Sequence, residues 1–138
     1  MGQRSKAREL ALKCLYAYES TGESIDSICE SLIADSDLKP EAAGFSESLL
    51  RNTVSHLEEL DKRITIHAIN WNIERLAMVD KNILRLGFCE LLFFPDVPSK
   101  VAINEAVELA KKYSAEESSG FVNGVLDALN KKLQQAQT

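Results

Sequence analysis

The chain has 138 residues, 45% of them hydrophobic and 27% charged, with a net charge of −5. One domain of that length buries about two thirds of its unfolded surface, so neither disulfides nor metals are needed to hold a core. No apolar run reaches the roughly 18 residues of a membrane span, and the basic start lacks the unbroken apolar stretch of a secretory signal, so a cytoplasmic location and no membrane partner are expected.

Ala7, Leu10, Ala11, Cys14, Leu15 and Tyr18 recur at helical spacing and predict a first helix over 5–21, stopped by Gly22. A second helix fits 24–34, with Ile25, Ile28, Cys29 and Leu32 facing inward. Pro40 suits the first turn of a third, along which Ala42, Phe45, Leu49, Leu57, Leu60 and Ile64 repeat to about Ile69. Asn70 to Asn72 break the pattern around Trp71, which places a junction between an N-terminal half, 1–70, and a C-terminal half, 71–138. A short helical turn at 73–76 precedes a strongly apolar helix over 79–94, whose composition implies near-total burial. Pro95 and Pro98 set up a helix over 99–113 carrying Ile103, Ala106, Val107, Ala110 and Tyr113 on one face. Ser114 and Glu117 then stand in capping-box spacing before the last stripe of Phe121, Val122, Val125, Leu126, Leu129 and Leu133. The expectation is an all-α, seven-helix domain of two packed helical subdomains, since no alternating runs are joined by a hairpin turn.

The net charge hides a segregation along the chain. Residues 1–13 hold Arg4, Lys6, Arg8 and Lys13 against Glu9, whereas 19–61 hold eleven acids against Lys39 and Arg51. A basic strip beside an acidic flank guides a polyanion to one face, where uniform negative charge would repel it.

Catalytic constellations are missing from the sequence. His56 and His67 lie outside any HExxH pattern, with no cysteine pair nearby, so no metal site is indicated. The scattered glycines form no phosphate loop. The pairs Glu58-Glu59 and Glu116-Glu117 are adjacent in sequence rather than set across a cleft. Cys14, Cys29 and Cys89 are odd in number without a CxxC and read as reduced packing residues. A binding protein without cofactors is expected, not an enzyme.

Two stretches carry a specific resemblance: RSKARELALKCLYAYE at 4–19, and RLAMVDKNILRLGFCELL at 75–92 continuing through VPSKVAINEAVELAKKYSAEESSGFVNGVLDAL at 97–129. Together they resemble the NusB family of transcription antitermination factors, while residues 20–70 contribute little. The resemblance implies an all-helical fold of two packed subdomains. It also implies a role: binding boxA-type single-stranded RNA of ribosomal RNA transcripts together with the small-subunit ribosomal protein NusE, within the RNA polymerase antitermination complex. The same module occurs fused to RNA methyltransferases, but a chain ending at Thr138 is expected to act as the stand-alone factor.

Carried over residue by residue, the resemblance implies RNA contacts from Arg4, Lys6 and Arg8, with Ser5 standing where a richer arginine run is common. Glu117, Ser118 and Phe121 resemble positions near the RNA. Phe121 is placed to stack on an unpaired base or, as the start of the last stripe, to pack in the core. Tyr16 points about opposite the stripe of its own helix, and an exposed aromatic asks for a partner. The resemblance implies that Tyr16, Glu74, Arg75 and Asp80 face NusE. Asn104, Glu105 and Asn123 belong to the family's signature and read as helix-packing or buried hydrogen-bonding residues. A homodimer using the same surfaces and occluding the RNA strip is the alternative.

Overall fold

The computed structural model describes residues 2–68 and 72–136. Among them run seven α-helices and no strand: α1 Gln3–Thr21, α2 Ile25–Ile28, α3 Pro40–Ser55, α4 Leu57–His67, α5 Met78–Phe93, α6 Ser99–Tyr113 and α7 Ser118–Ala136. A π-helical turn, Cys29–Ile33, extends α2, and a 3-10 turn, Ile73–Arg75, precedes α5. No helix of the described residues is long and apolar enough to cross a membrane. The chain divides into two compact units, Met1–Ser55 and His56–Thr138. The halves expected to meet at 70/71, and the junction at Trp71, fall on 69–71, outside the described residues.

In the first unit α1 packs along α3, with the π turn against both and α2 against α1. Ala7, Ala11, Leu12, Cys14 and Leu15 form the buried stripe of α1. The helix ends as its sequence predicts: Gly22 takes φ 75°, and its N–H donates to the Tyr18 carbonyl at 3.3 Å. Ser24 caps α2 by accepting the Ser27 N–H at 3.1 Å. The π turn alters which residues face inward. The Ala34 N–H reaches back five residues to the Cys29 carbonyl at 2.9 Å, adding a residue to the turn. As a result Leu32, expected inside, is 38% exposed, and Ile33 is buried in its place at 3%.

The expected third helix over 40–69 is two helices. His56 leaves helical backbone at φ −116°, ψ 19°, and its ring stacks on Phe93 of α5 at 4.2 Å between centroids. The apolar repeat stays in phase through the break, with Thr53, Leu60 and Ile64 all buried, and neither Gly nor Pro marks it. Periodicity therefore carried no sign of it.

The second unit is organised on α5, where every residue from Asn82 to Glu90 is buried; α4, α6 and α7 pack around it. Gly87 lets α7 approach closely, because a Cβ there would lie 2.8 Å from Leu126 Cδ2 and 3.0 Å from Cδ1. Leu126 is fully buried, so its side chain would have to shift within a packed interior. Gly87→Val should therefore cost about 1–3 kcal/mol of stability through overpacking. An unchanged urea midpoint would contradict that packing.

All three cysteines are free and buried. Burial first, then the neighbouring Cys29, pushes the Cys14 thiol up to about 12, and burial also raises Cys29. Because thiolates are the reactive form, a disulfide reagent should label no thiol rapidly in the native protein and all of them after unfolding. A fast native phase would contradict this arrangement.

Candidate nucleic-acid interface

In the first unit the N-terminal turns of α1 lie against the start of α3, and several contacts pin the seam. The Lys39 N–H donates to Gln3 Oε1 at 2.9 Å, and the buried Ser46 hydroxyl donates to the Ala7 carbonyl at 2.9 Å. Arg4 donates from Nη2 to Glu41 Oε1 at 2.6 Å and from Nε to the same oxygen at 3.2 Å. Its guanidinium carbon also stands 4.1 Å from the Phe45 ring centroid.

Arg8 departs from the expectation of an exposed, phosphate-facing cation. It is 3% exposed, with its guanidinium 5.0 Å from the same Phe45 ring. Its aliphatic stem borders the Ala7/Ala11 stripe, and its head finishes on an aromatic face, as long cationic side chains do at the edge of a core. Lys6 is exposed and makes no ion pair among the described residues, while Lys13 lies 3.7 Å from Glu9. Lys6 thus offers its charge to solvent, Arg4 is exposed but paired with Glu41, and Arg8 supports the surface beneath. On the same helix Tyr16 is 56% exposed, as its wheel position predicts.

In the second unit Asp80, Ser114 and Ser118 form one hydrogen-bonded cluster. Asp80, in the first turn of α5, accepts from the Ser114 hydroxyl through Oδ1 and from the Ser118 hydroxyl at 3.1 Å through Oδ2. The Ser114 hydroxyl also lies 3.0 Å from that of Ser118. Three helix ends are joined there: the start of α5, the end of α6 and the start of α7. The sequence spacing put Ser114 and Glu117 in a capping box; instead Ser114 closes α6 and turns its hydroxyl to Asp80. Asp80, expected at a partner surface, and Ser118, expected near RNA, are both buried in this cluster.

The cluster fixes the first turn of α7, which carries Phe121 and which Glu117 immediately precedes. Glu117 is exposed, and Phe121, one turn on, is half-buried. Glu74 and Arg75 are exposed on the 3-10 turn, which Asn72 closes by accepting the Glu74 N–H at 2.9 Å. Asn104 and Asn123, expected to be packed or buried, are instead exposed and line an open groove between α6 and α7. Among the described residues no group of His, Cys, Asp or Glu is placed to hold a metal ion.

Sequence reasoning missed Glu41 and Phe45 as partners of the basic strip. Glu41 reads as an ordinary acid in the first turn of a helix, and Phe45 as one more core position. Nothing in the sequence links either to α1.

A family model described as NusB family matches residues 5–131. The transcription antitermination protein NusB of Myxococcus xanthus is 44% identical over 95% of this chain and 99% of that protein. The protein of the same name from Chloroherpeton thalassium is 42% identical over 91% of this chain, which spans only 60% of that longer protein. Among solved structures, T. maritima NusB matches with a TM-score of 0.87 at 32% identity, covering 100% of this chain and 99% of that one. A crystal structure of antitermination factors NusB and NusE in complex with double-stranded RNA matches with a TM-score of 0.84 at 34% identity, over 96% of this chain and 98% of that one.

Proposed function

The chain belongs to the NusB family of non-enzymatic antitermination factors, and from that premise we propose that it binds boxA-type single-stranded RNA of ribosomal RNA transcripts together with NusE and supports processive elongation by RNA polymerase. The observation that carries this reading is the match, over nearly the whole chain, to a NusB solved with NusE and double-stranded RNA. The geometry agrees with it. Lys6 and Arg4 supply phosphate contacts from the start of α1, giving affinity without sequence information. Phe121, half-buried on a turn seated by Asp80, offers a ring face for a base, with Glu117 beside it as a hydrogen-bond acceptor. Arg8 and Ser118 act beneath these contacts, holding Phe45 and the α7 turn. Tyr16, Glu74 and Arg75 are exposed where a protein partner can reach them, while Asp80 is buried against Ser114 and Ser118 in the first turn of α5.

Fluorescence anisotropy against single- and double-stranded RNA tests the assignment. Arg4→Ala/Lys6→Ala should weaken binding to every RNA and flatten the salt dependence on a single strand, by about 0.7 of a unit for the Lys6 contact and by less for Arg4, whose charge Glu41 already balances. Phe121→Ala should cost about 1–3 kcal/mol on single-stranded RNA and little on a duplex. An unchanged salt slope in the double variant would remove Arg4 and Lys6 from the interface. Equal losses on both RNA forms would remove the stacking role of Phe121.

A further inference from the structure

Arg4 is held on two sides. Phe45 lies against the face of its guanidinium at 4.1 Å, and Glu41 occupies its Nε–Nη2 edge, where a single carboxylate oxygen accepts both donors at 3.2 and 2.6 Å. That edge is one with which a guanidinium grips a phosphate. We propose that Glu41 is an intramolecular stand-in for phosphate on Arg4, which holds down the sequence-independent affinity of the basic strip for RNA. The proposal rests on the RNA reading above and adds the residue that sets its strength.

The charge balance gives the mechanism. Paired with Glu41, Arg4 adds no net charge to the strip, whereas Lys6 makes no ion pair among the described residues. When a phosphate takes the Nε–Nη2 edge, the Glu41 carboxylate is released to solvent and recruits a cation of its own. Fewer counterions are then freed overall than if Arg4 had been unpaired. The pair is open to water, with 47% of the Arg4 side chain and 71% of the Glu41 side chain exposed. Such pairs are weak, so RNA can displace the carboxylate and Glu41 tunes binding without blocking it. Nor does displacement loosen α1, because the Gln3–Lys39 and Ser46–Ala7 hydrogen bonds pin the same seam independently. Phe45 keeps the guanidinium at the surface in either state.

The test compares wild type, Glu41→Gln, Arg4→Ala and the double variant, by anisotropy over a salt series, on a labelled boxA-type single strand and a scrambled one. Glu41→Gln should bind both RNAs about two- to five-fold tighter, with a steeper salt slope, and most of that gain should vanish in the Arg4→Ala background. The glutamate is exposed, so the variant is expected to fold, which its helical circular dichroism verifies. Wild type that binds while Glu41→Gln binds no better overturns the role of Glu41 and leaves the RNA reading standing. An equal gain with and without Arg4 also overturns it, since the effect would then be general charge repulsion. No binding by wild type or by Glu41→Gln overturns the RNA reading itself and the proposal with it.

Discussion

Asp61→Ala should lower the unfolding free energy by about 3 kcal/mol, as expected when one partner of a buried ion pair is removed. Arg85, in the middle of α5, is 6% exposed and meets Asp61 of α4 bidentately, Nε to Oδ1 and Nη2 to Oδ2, each at 2.8 Å. Its Nη1 donates to the buried Asn82 Oδ1 at 2.9 Å. Taking Asp61 away leaves a guanidinium in the core with most of its neutralising charge gone. Because the Asp61 side chain is 32% exposed, water can reach that edge, which keeps the loss at the lower end of the range for buried pairs. Replacing both residues, Asp61→Leu with Arg85→Met, should recover much of the loss, since well-packed apolar side chains often match a buried pair. Urea unfolding followed by circular dichroism reads both. A loss under about 1 kcal/mol for Asp61→Ala would show that the pair behaves as an ordinary surface contact. The pair fastens α4 to α5, the helices that flank the exposed Glu74 and Arg75.

Asp80→Ala is expected to cost about 2–3 kcal/mol, from two charge-assisted hydrogen bonds and a favourable charge in the first turn of α5. Ala77, at the cap position of that helix, offers no side-chain cap, so the carboxylate is the main group answering the positive end of the helix. The functional consequence is local. With Asp80 gone, Ser114 and Ser118 keep only each other, and the turn bearing Glu117 and Phe121 loses its anchor. RNA affinity should fall, and Phe121→Ala in the Asp80→Ala background should cost less than it does alone, because the ring is already misplaced. If Asp80→Ala left stability untouched and weakened only the binding of NusE, Asp80 would be a direct partner contact, as its sequence position suggested.

The sequence made the helices legible because burial imposes periodicity. The stripes of α1 and α7 and the near-total burial of α5 could be read from spacing alone, and Tyr16 stood out by lying off its stripe; on α6 the spacing misplaced the face, since Ala102 and Leu109 are buried beside Ala106 and Ala110 while Tyr113 is exposed. Features set by contact with another element could not be read this way. His56 breaks a helix to stack on Phe93, far along the chain, while the apolar repeat passes through undisturbed. The π turn exchanges Leu32 for Ile33 by one extra residue in the turn, a shift that two neighbouring aliphatics conceal. Arg8 has the composition of a surface cation, and only the fold shows Phe45 waiting for it. Asp80 and Ser118 were assigned to two different surfaces and turn out to bond to each other. The family resemblance was legible for a related reason: long ordered segments such as VAINEAVELAKKY and FVNGVLD preserve a whole helix face, while the roles of single residues depend on neighbours the sequence does not display.

The most direct test of the account is anisotropy of a labelled boxA-type single-stranded RNA titrated with this protein, with and without NusE, against a scrambled strand. If the chain acts as proposed, the boxA-type strand is preferred and NusE tightens its binding further. Equal, weak binding to both strands whether or not NusE is present would contradict it.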